Sequence, residues 1–173
     1  MGKCKKDNIV LIGMPAVGKS TIGIILAKVM GYDFLDSDLL IQQTEKRLLA
    51  DLIAKQGVDG FLEIENHINS NICVSRTVIA TGGSAVYGKE AMNHLKETSV
   101  MVYLKEDYDV LSKRIDDIDG RGVVRREGQT LADLYAERCP LYETYADIII
   151  EEQSGTPEQT LHKILEKMHE IRE

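Results

Sequence analysis

The sequence has no tryptophan, and aromatic residues make up only 5% of its 173 residues. It also lacks an apolar run near the roughly 20 residues that a membrane-spanning helix needs. Its charged first residues do not lead into the apolar segment of a secretory signal. We therefore expect a core of aliphatic side chains and no membrane partner.

Basic residues are fewer than acidic residues. Lysine and arginine number 21 against 28 aspartates and glutamates, which gives a net charge of −7. A net negative charge argues against a nucleic-acid partner, although a local basic site can still bind a small anion. Cysteine is scarce, and Cys4, Cys73 and Cys139 are too far apart for a metal motif or a disulfide framework. We read them as reduced thiols of a cytoplasmic protein.

No linker rich in proline, glycine or serine divides the chain, and no internal repeat is present. A chain of this length is long enough for one well-filled core and short for two. We therefore predict a single domain over residues 1–173, and we expect a monomer.

Short apolar runs alternate with helical stretches along the chain. Runs of this kind predict strands covered on both faces, and we predict five: Ile9–Ile12, Asp33–Leu35, Thr77–Ala80, Ser99–Leu104 and Asp147–Glu151. The alternation predicts an α/β fold in which helices cover both faces of a mostly parallel sheet. Ligands of such sheets bind at the carboxyl ends of the strands.

Two helices carry clear signals. After Gly18, apolar residues spaced by three and four predict one buried stripe, made of Ile22, Ile25, Leu26, Val29 and Met30. Near the end of the chain, Thr156 is followed by Pro157 and Gln159. This is the sequence of a capping box with proline at the first helical position.

The stretch GMPAVGKST, residues 13–21, matches the pattern G-x-x-x-x-G-K-[ST] in full and lies between a predicted strand and a helix. Its glycines allow a tight turn whose N–H groups face phosphate oxygens, while a lysine reaches the β- and γ-phosphates. A chance match in an ordinary turn is the alternative, and the placement argues against it. The stretch predicts a P-loop NTPase fold of three layers that binds a nucleoside triphosphate, with ATP expected.

Two further segments suggest chemistry. Asp36 and Asp38 end the second strand, so one could serve Mg²⁺ and the other a substrate hydroxyl; the alternative is that Ser37 or Asp38 caps the next helix. Residues 116–128 are charged and rich in glycine. They form either a solvated loop or a lid that closes over phosphates.

The order of these motifs resembles the shikimate kinase family. A P-loop, F-x-D-x-D after the second strand, ATGG after the third and ERCPLYETYAD near the end follow each other at the family's spacing over nearly the whole chain. The resemblance implies a five-stranded parallel sheet, a substrate-binding helical segment near 37–73 and a lid near 116–128. It also implies transfer of the γ-phosphoryl group of ATP to the 3-hydroxyl of shikimate, a step of aromatic amino-acid biosynthesis.

The resemblance further implies the residues of the nucleotide site. Those around the ATP phosphates are Gly13, Ala16, Val17, Gly18, Lys19, Ser20 and Thr21. Ser20 and Asp36 would hold Mg²⁺, Arg114 would lie against the adenine, and Arg121 of the lid would contact the transferring phosphate.

On the acceptor side, the resemblance implies that Asp38 holds the attacking hydroxyl and takes its proton. Gly82 and Gly83 would donate backbone N–H groups to the acceptor, and Arg138 would pair with its carboxylate. Lys19, Asp38 and Arg121 are therefore the expected catalytic residues.

Three positions depart from the family pattern. Leu62 stands where F-R-x-x-E has an arginine that grips the shikimate carboxylate, Ser84 replaces the third glycine of GGG, and Gly122 replaces the proline of the lid. Glu65 keeps its place, and we expect it to pair with Arg138. The acceptor is therefore shikimate, or alternatively another small hydroxylated acid or polyol.

A nucleotide-binding regulatory module without kinase activity is a third possibility. A pure switch has no need of both an acceptor-hydroxyl carboxylate and a carboxylate-binding arginine. Retention of Asp38 and Arg138 together favours the kinase.

Overall fold

One five-stranded parallel sheet forms the centre of the computed structural model, which describes residues 6–115, 122–153 and 155–172. The strands are β1 (Asn8–Ile12), β2 (Asp33–Asp36), β3 (Thr77–Ala80), β4 (Ser99–Lys105) and β5 (Ile148–Glu151). They lie in the order β2-β3-β1-β4-β5, and every neighbouring pair is parallel. The predicted sheet is confirmed, with strand ends that differ by at most one residue.

Helices fill most of the chain between the strands. In the described residues they are α1 (Lys19–Met30), α2 (Ser37–Glu45), α3 (Leu49–Ser70), α4 (Lys89–Thr98), α5 (Tyr108–Arg114), α6 (Leu131–Tyr145) and α7 (Pro157–Arg172). A 3₁₀ turn spans Ala85–Tyr87. Every residue of β1 and β3 is buried, so both faces of the sheet are covered, as predicted.

Helix α1 follows the predicted pattern at its first turns and departs from it at the end. Ile22 and Leu26 are buried, but Val29 is 56% exposed, so its place in the buried stripe was predicted wrongly. Gly23 is buried and lies against β2, where a Cβ would come within 2.6 Å of the ring of Phe34. The close contact between α1 and β2 is therefore made at a glycine, which a search for apolar side chains does not include.

The predicted capping box at the start of α7 is present. The side chain of Thr156 accepts a hydrogen bond from the backbone N–H of Gln159 at 3.3 Å, and the Gln159 side chain accepts one from the Thr156 N–H at 2.9 Å. Two otherwise unpaired N–H groups are thereby satisfied.

Residues 37–73 contain α2 and α3, and they provide most of a small apolar cluster that Val124 completes. Ile41, Leu52, Phe61 and Val124 are its buried members. Non-helical backbone at Gly57, with φ 72° and ψ 175°, divides α3 into two parts. None of the helices in the described part of the chain has the length and apolar character to cross a bilayer.

Candidate active site

The loop between β1 and α1 presents free backbone donors. Gly18 has φ 102° and forms the N-cap of α1 without a side-chain cap, a conformation that favours glycine. The first N–H groups of a helix have no partner within it, and the helix dipole is positive at this end. The loop therefore provides the anion-binding geometry that its sequence predicts.

Lys19 folds back over this loop. Its Nζ lies 2.8 Å from the carbonyl oxygens of both Gly13 and Met14, and the residue is 7% exposed. Burial lowers the pKa of Lys19 to about 8, with Asp38 opposing this shift and Arg138 adding to it. The ammonium group thus stands in a site where a polyanion would stabilise its charge.

Asp36 makes two kinds of contact at the end of β2. One carboxylate oxygen accepts a hydrogen bond from the Ser20 hydroxyl at 2.8 Å. The other accepts from the N–H groups of Asp38 at 3.0 Å and Leu39 at 3.2 Å. The N-cap of α2 is therefore Asp36, and the alternative that Ser37 or Asp38 caps this helix was wrong.

Asp38 lies in the first turn of α2, where its side chain lines a cleft together with Lys19 of the phosphate loop and Gly83 after β3. Burial raises the pKa of Asp38 to about 6; the charge of Asp36 raises it further and Lys19 opposes the shift. A carboxyl group with this pKa can accept a proton at neutral pH and is still mostly ionised.

The backbone after β3 packs tightly against these side chains. A Cβ at Gly82 would lie 2.6 Å from the Oδ1 of Asp38, so a larger residue there would have to displace the Asp38 side chain. The N–H of Gly82 donates to the Ser37 hydroxyl at 3.3 Å, whereas we had predicted that it donates to the acceptor. At Gly83 a Cβ would lie 2.7 Å from Pro15.

Arg138 is 1% exposed, yet it lines the same cleft. Its Nε donates to the Tyr87 hydroxyl at 3.2 Å, its Nη2 donates to the Val124 carbonyl, and Tyr87 in turn donates to Glu137. Sequence reasoning found Arg138 but missed these partners, because no motif marks a tyrosine of a 3₁₀ turn or a backbone carbonyl.

Glu65 binds Ser84 rather than Arg138. The Ser84 hydroxyl donates to the Oε2 of Glu65 at 2.7 Å. The expected ion pair between Glu65 and Arg138 was therefore wrong. The donor comes instead from the serine that replaces the third glycine of the family pattern. Oε1 has no hydrogen-bond partner among the described residues. Burial raises the pKa of Glu65 to about 7, although the Ser84 hydrogen bond opposes the shift.

Leu62 belongs to the apolar packing of the helical segment. Its partly buried side chain packs against the cluster of Phe61 and Val124, and it is absent from the described lining of the cleft. This position therefore offers the acceptor no charge.

A second pocket lies beside the phosphate loop. Val17, Thr21, Arg114 and Pro157 are among its lining residues. The guanidinium of Arg114 lies 3.5 Å from a carboxylate oxygen of the buried Glu106 and 3.4 Å from the carbonyl oxygen of Ala16. The resemblance to the shikimate kinase family predicts that the adenine ring of ATP lies against Arg114, and therefore in this pocket.

Part of the predicted lid lies against the cleft. Val123 and Val124 line it, and Arg126 pairs with Asp59 of α3 at 2.8 Å. Gly122 has φ 66°, which proline cannot adopt, so this conformation accounts for glycine at that position. Arg121, the predicted lid arginine, lies outside the described residues.

Most predicted site residues converge on the one cleft. Those that line it are Ala16, Gly18, Lys19, Ser20, Thr21, Asp38, Gly82, Gly83 and Arg138. Asp36 and Gly13 contact this lining: Asp36 accepts a hydrogen bond from Ser20, and the Gly13 carbonyl accepts one from Lys19. Val17 and Arg114 line the adjacent pocket instead.

Comparisons with known proteins agree with this geometry. The family model for shikimate kinase matches residues 15–169. A shikimate kinase of Thermodesulfovibrio yellowstonii is 33% identical over 167 residues, covering 95% of this chain and 96% of its own. Shikimate kinase 2 of Yersinia enterocolitica is 31% identical over 168 residues, covering 92% and 94%.

A solved structure is similar at the level of the fold and the sequence. Shikimate kinase from Acinetobacter baumannii in complex with shikimate superimposes with a TM-score of 0.87 at 30% identity, covering 95% of this chain and 93% of its own. Family model, relatives and fold agree: the chain belongs to the shikimate kinase family of ATP-dependent phosphotransferases with an alcohol acceptor.

Proposed function

We propose that this protein transfers the γ-phosphoryl group of ATP to a hydroxyl of shikimate. The observation that carries the proposal is the convergence of Lys19, Asp38 and Arg138 on one cleft. These are a cation for the transferred phosphate, a carboxylate for the attacking hydroxyl and a cation for the acceptor carboxylate.

We assign the phosphate and metal positions to the loop and to β2. The Ser20 hydroxyl and the Asp36 carboxylate oxygen lie 2.8 Å apart, and Mg²⁺ prefers such oxygen ligands, usually one or two from the protein together with phosphates and water. When bound, Mg²⁺ would neutralise the charge of the β- and γ-phosphates. The other oxygen of Asp36 stays engaged at the N-cap of α2.

Asp38 has the place and the pKa of the proton acceptor. As the acceptor hydroxyl oxygen bonds to the γ-phosphorus, the bond to the β-phosphate oxygen breaks and ADP leaves; the hydroxyl proton passes to the Asp38 carboxylate. The buried ammonium of Lys19 stabilises the charge on the transferred group. We assign the same role to Arg121 of the lid.

Arg138 is the residue that we assign to the acceptor carboxylate. Its guanidinium is oriented by Tyr87 and the Val124 carbonyl, so little rotational freedom remains to be lost on binding, and an arginine fork matches a carboxylate. We assign to Gly83 a backbone contact with the acceptor.

Leu62 and Ser84 favour a second candidate, a kinase of the same mechanism that acts on a different small hydroxylated acid or polyol. The absence of one arginine–carboxylate pair could cost about 2–5 kcal/mol of binding. An acceptor that has a neutral or weakly charged group in place of the carboxylate would lose less binding free energy from the missing arginine.

A panel of acceptors tests both candidates. ADP release would be measured with shikimate, quinate, gluconate and simple polyols at a fixed concentration of Mg·ATP. We expect saturable turnover with shikimate and little with the others. Turnover with another acceptor and none with shikimate would support the second candidate.

The remaining parts of the proposal concern context. We propose that the protein works as a monomeric cytoplasmic enzyme of aromatic amino-acid biosynthesis, with residues 1–173 as one domain and residues 116–128 as a lid. The scarcity and wide spacing of its three cysteines support a reducing compartment, and its net charge of −7 argues against a nucleic-acid partner.

A further inference from the structure

The hydroxyl of Tyr87 lies between two charged side chains of α6. It accepts a hydrogen bond from the Nε of Arg138 at 3.2 Å and donates one to a carboxylate oxygen of Glu137. The carbon of the Arg138 guanidinium lies 5.3 Å from the centroid of the Tyr87 ring, within the range of a cation–π contact. Tyr87 thus contacts both the edge and the face of this guanidinium.

The two hydrogen bonds fix the polarity of the Tyr87 hydroxyl. A phenol has one proton to donate, whereas an arginine can only donate. Because Tyr87 donates its proton to Glu137, its oxygen presents a lone pair to Arg138. Glu137 is held in turn by Gln129, whose Nε2 donates to the second carboxylate oxygen at 3.2 Å.

Tyr87 keeps its proton at neutral pH. Burial raises the pKa of Tyr87 and the hydrogen bond to Glu137 raises it further, whereas Arg138 opposes the shift. The hydroxyl can therefore donate to Glu137 and accept from Arg138 at the same time over the working range of the enzyme.

The partners of Arg138 leave one of its nitrogens beside the cleft. Nε donates to Tyr87 and Nη2 to the Val124 carbonyl, whereas Nη1 would lie 3.1 Å from a Cβ at Gly83, a residue that lines the cleft. Glu65, the acid expected to pair with this arginine, binds Ser84 instead. In this chain a tyrosine holds the Nε edge of the guanidinium.

We propose that Tyr87 is a positioning residue for the acceptor: while it donates to Glu137, it holds the Nε of Arg138 and leaves Nη1 for the acceptor carboxylate. The inference rests on the proposed function, in which Arg138 binds that carboxylate. A cation that is oriented beforehand loses less rotational freedom on binding. This orientation matters more in a chain whose Leu62 supplies no second cation.

Tyr87→Phe removes the hydroxyl and keeps the ring. We expect the KM for shikimate to rise at least about fivefold, because Nε loses its buried acceptor and the guanidinium must be ordered on binding. Both kcat and the KM for ATP should stay within about twofold.

Tyr32→Phe is the matched control. Its ring also lies against an arginine, with the Arg76 guanidinium carbon 5.1 Å from the ring centroid. Tyr32 precedes the first residue of β2, at the opposite end of the strand from the cleft. This variant should have the KM values of the wild type, and circular dichroism would verify the fold of both proteins.

The methyl ester of shikimate distinguishes the positioning of Arg138 from a general change of the cleft. It keeps the hydroxyls of shikimate and lacks the charge that Arg138 binds. Calorimetry with Mg·ADP present should show that the wild type binds the acid at least about tenfold more tightly than the ester. In Tyr87→Phe this ratio should be at least about fivefold smaller, with the affinity for the ester unchanged, whereas a merely structural defect would weaken both.

Glu137→Ala tests the second half of the arrangement at an exposed position. It removes the acceptor of the phenol proton, so the KM for shikimate should rise at least about twofold. Because Glu137 acts through Tyr87, the double variant Tyr87→Phe/Glu137→Ala should have the KM of Tyr87→Phe alone.

An unchanged KM for shikimate in folded Tyr87→Phe would overturn the inference, and so would an equal loss of affinity for the acid and the ester. If Tyr87→Phe does not fold, an unchanged KM in Glu137→Ala would overturn it. A wild-type protein that neither binds nor phosphorylates shikimate would remove the proposed function, and the inference with it. Normal wild-type turnover without an effect of Tyr87 would remove the inference alone.

Discussion

At the scale of single residues, Asp38 combines two properties that general-base chemistry needs. It lines the cleft beside Gly82, and its pKa is raised to about 6. Its carboxylate is therefore ionised at neutral pH yet basic enough to take a proton. Asp36, two residues earlier, is committed instead to the N-cap of α2 and to Ser20.

The Asp38→Asn variant tests this role. We expect kcat to fall at least about 100-fold, because the amide cannot take the hydroxyl proton, while the affinity for Mg·ADP stays within about threefold. Steady-state kinetics and calorimetry measure the two effects. Asp33→Asn, at the exposed start of β2, is the matched control and should behave as wild type. Normal turnover in Asp38→Asn would refute the assignment.

The pH dependence of kcat/KM gives a second test at this scale. Asp38 must be ionised, so activity should rise as pH increases through about 6. Lys19 must be charged, so activity should fall as pH increases through about 8. A bell-shaped profile is expected for the free enzyme. In Lys19→Arg the alkaline limb should disappear, whatever the absolute rate, since a guanidinium does not titrate there. A flat profile from pH 5 to 7 would contradict the role of Asp38.

At the scale of elements, α2–α3 is the segment to which we assign the binding of the acceptor. Its apolar cluster includes Leu62, so the helix face that could present a cation presents a hydrophobic side chain. Ser84 engages Glu65 of α3, which ties the loop after β3 to this helix.

Leu62→Arg tests whether a second cation is what the acceptor site lacks. We expect the KM for shikimate to fall at least about fivefold, because the arginine stem can lie along the apolar cluster while its guanidinium reaches the cleft. The KM for ATP should stay unchanged. Leu62→Met, similar in volume, is the control. A KM for shikimate that is unchanged or higher in Leu62→Arg would count against the account.

Glu65 should make the stability of this element depend on pH. Its pKa is raised from 4.5 to about 7, so the folded state holds a proton that the unfolded state releases. The free energy of unfolding should therefore decrease as pH rises between these values, by roughly 3 kcal/mol from this group.

In Glu65→Gln this contribution disappears, so stability should fall less between pH 4.5 and pH 7.5 than in the wild type. Denaturant unfolding at the two pH values measures it. The control is Glu63→Gln, an exposed position on the same helix, which should follow the wild type. Identical pH dependence in Glu65→Gln and wild type would show that Glu65 is not held in its protonated form.

At the scale of the whole molecule, the sheet could be predicted because its signals are local. Strands such as Ile9–Ile12 are continuous apolar runs, and Thr156 and Gln159 mark a helix start by spacing alone. The phosphate loop is likewise a short pattern whose place between a strand and a helix can be read directly.

The details of the site depended on contacts between distant residues, which no local pattern encodes. Tyr87 orients Arg138 across 51 positions, and Ser84 takes the place expected for Arg138 beside Glu65. The inward position of Gly23 follows from the ring of Phe34. Sequence reasoning therefore identified side chains that line the cleft and missed the groups that orient Arg138 and contact Glu65.

The most direct test of the central claim is a phosphorus NMR spectrum of the purified protein with Mg·ATP and shikimate. The account predicts that the γ-phosphate signal of ATP disappears while ADP and one phosphate monoester signal grow in equal amounts, and that Lys19→Ala slows this conversion strongly. Release of inorganic phosphate alone, or an unchanged ATP spectrum with folded protein, would contradict it.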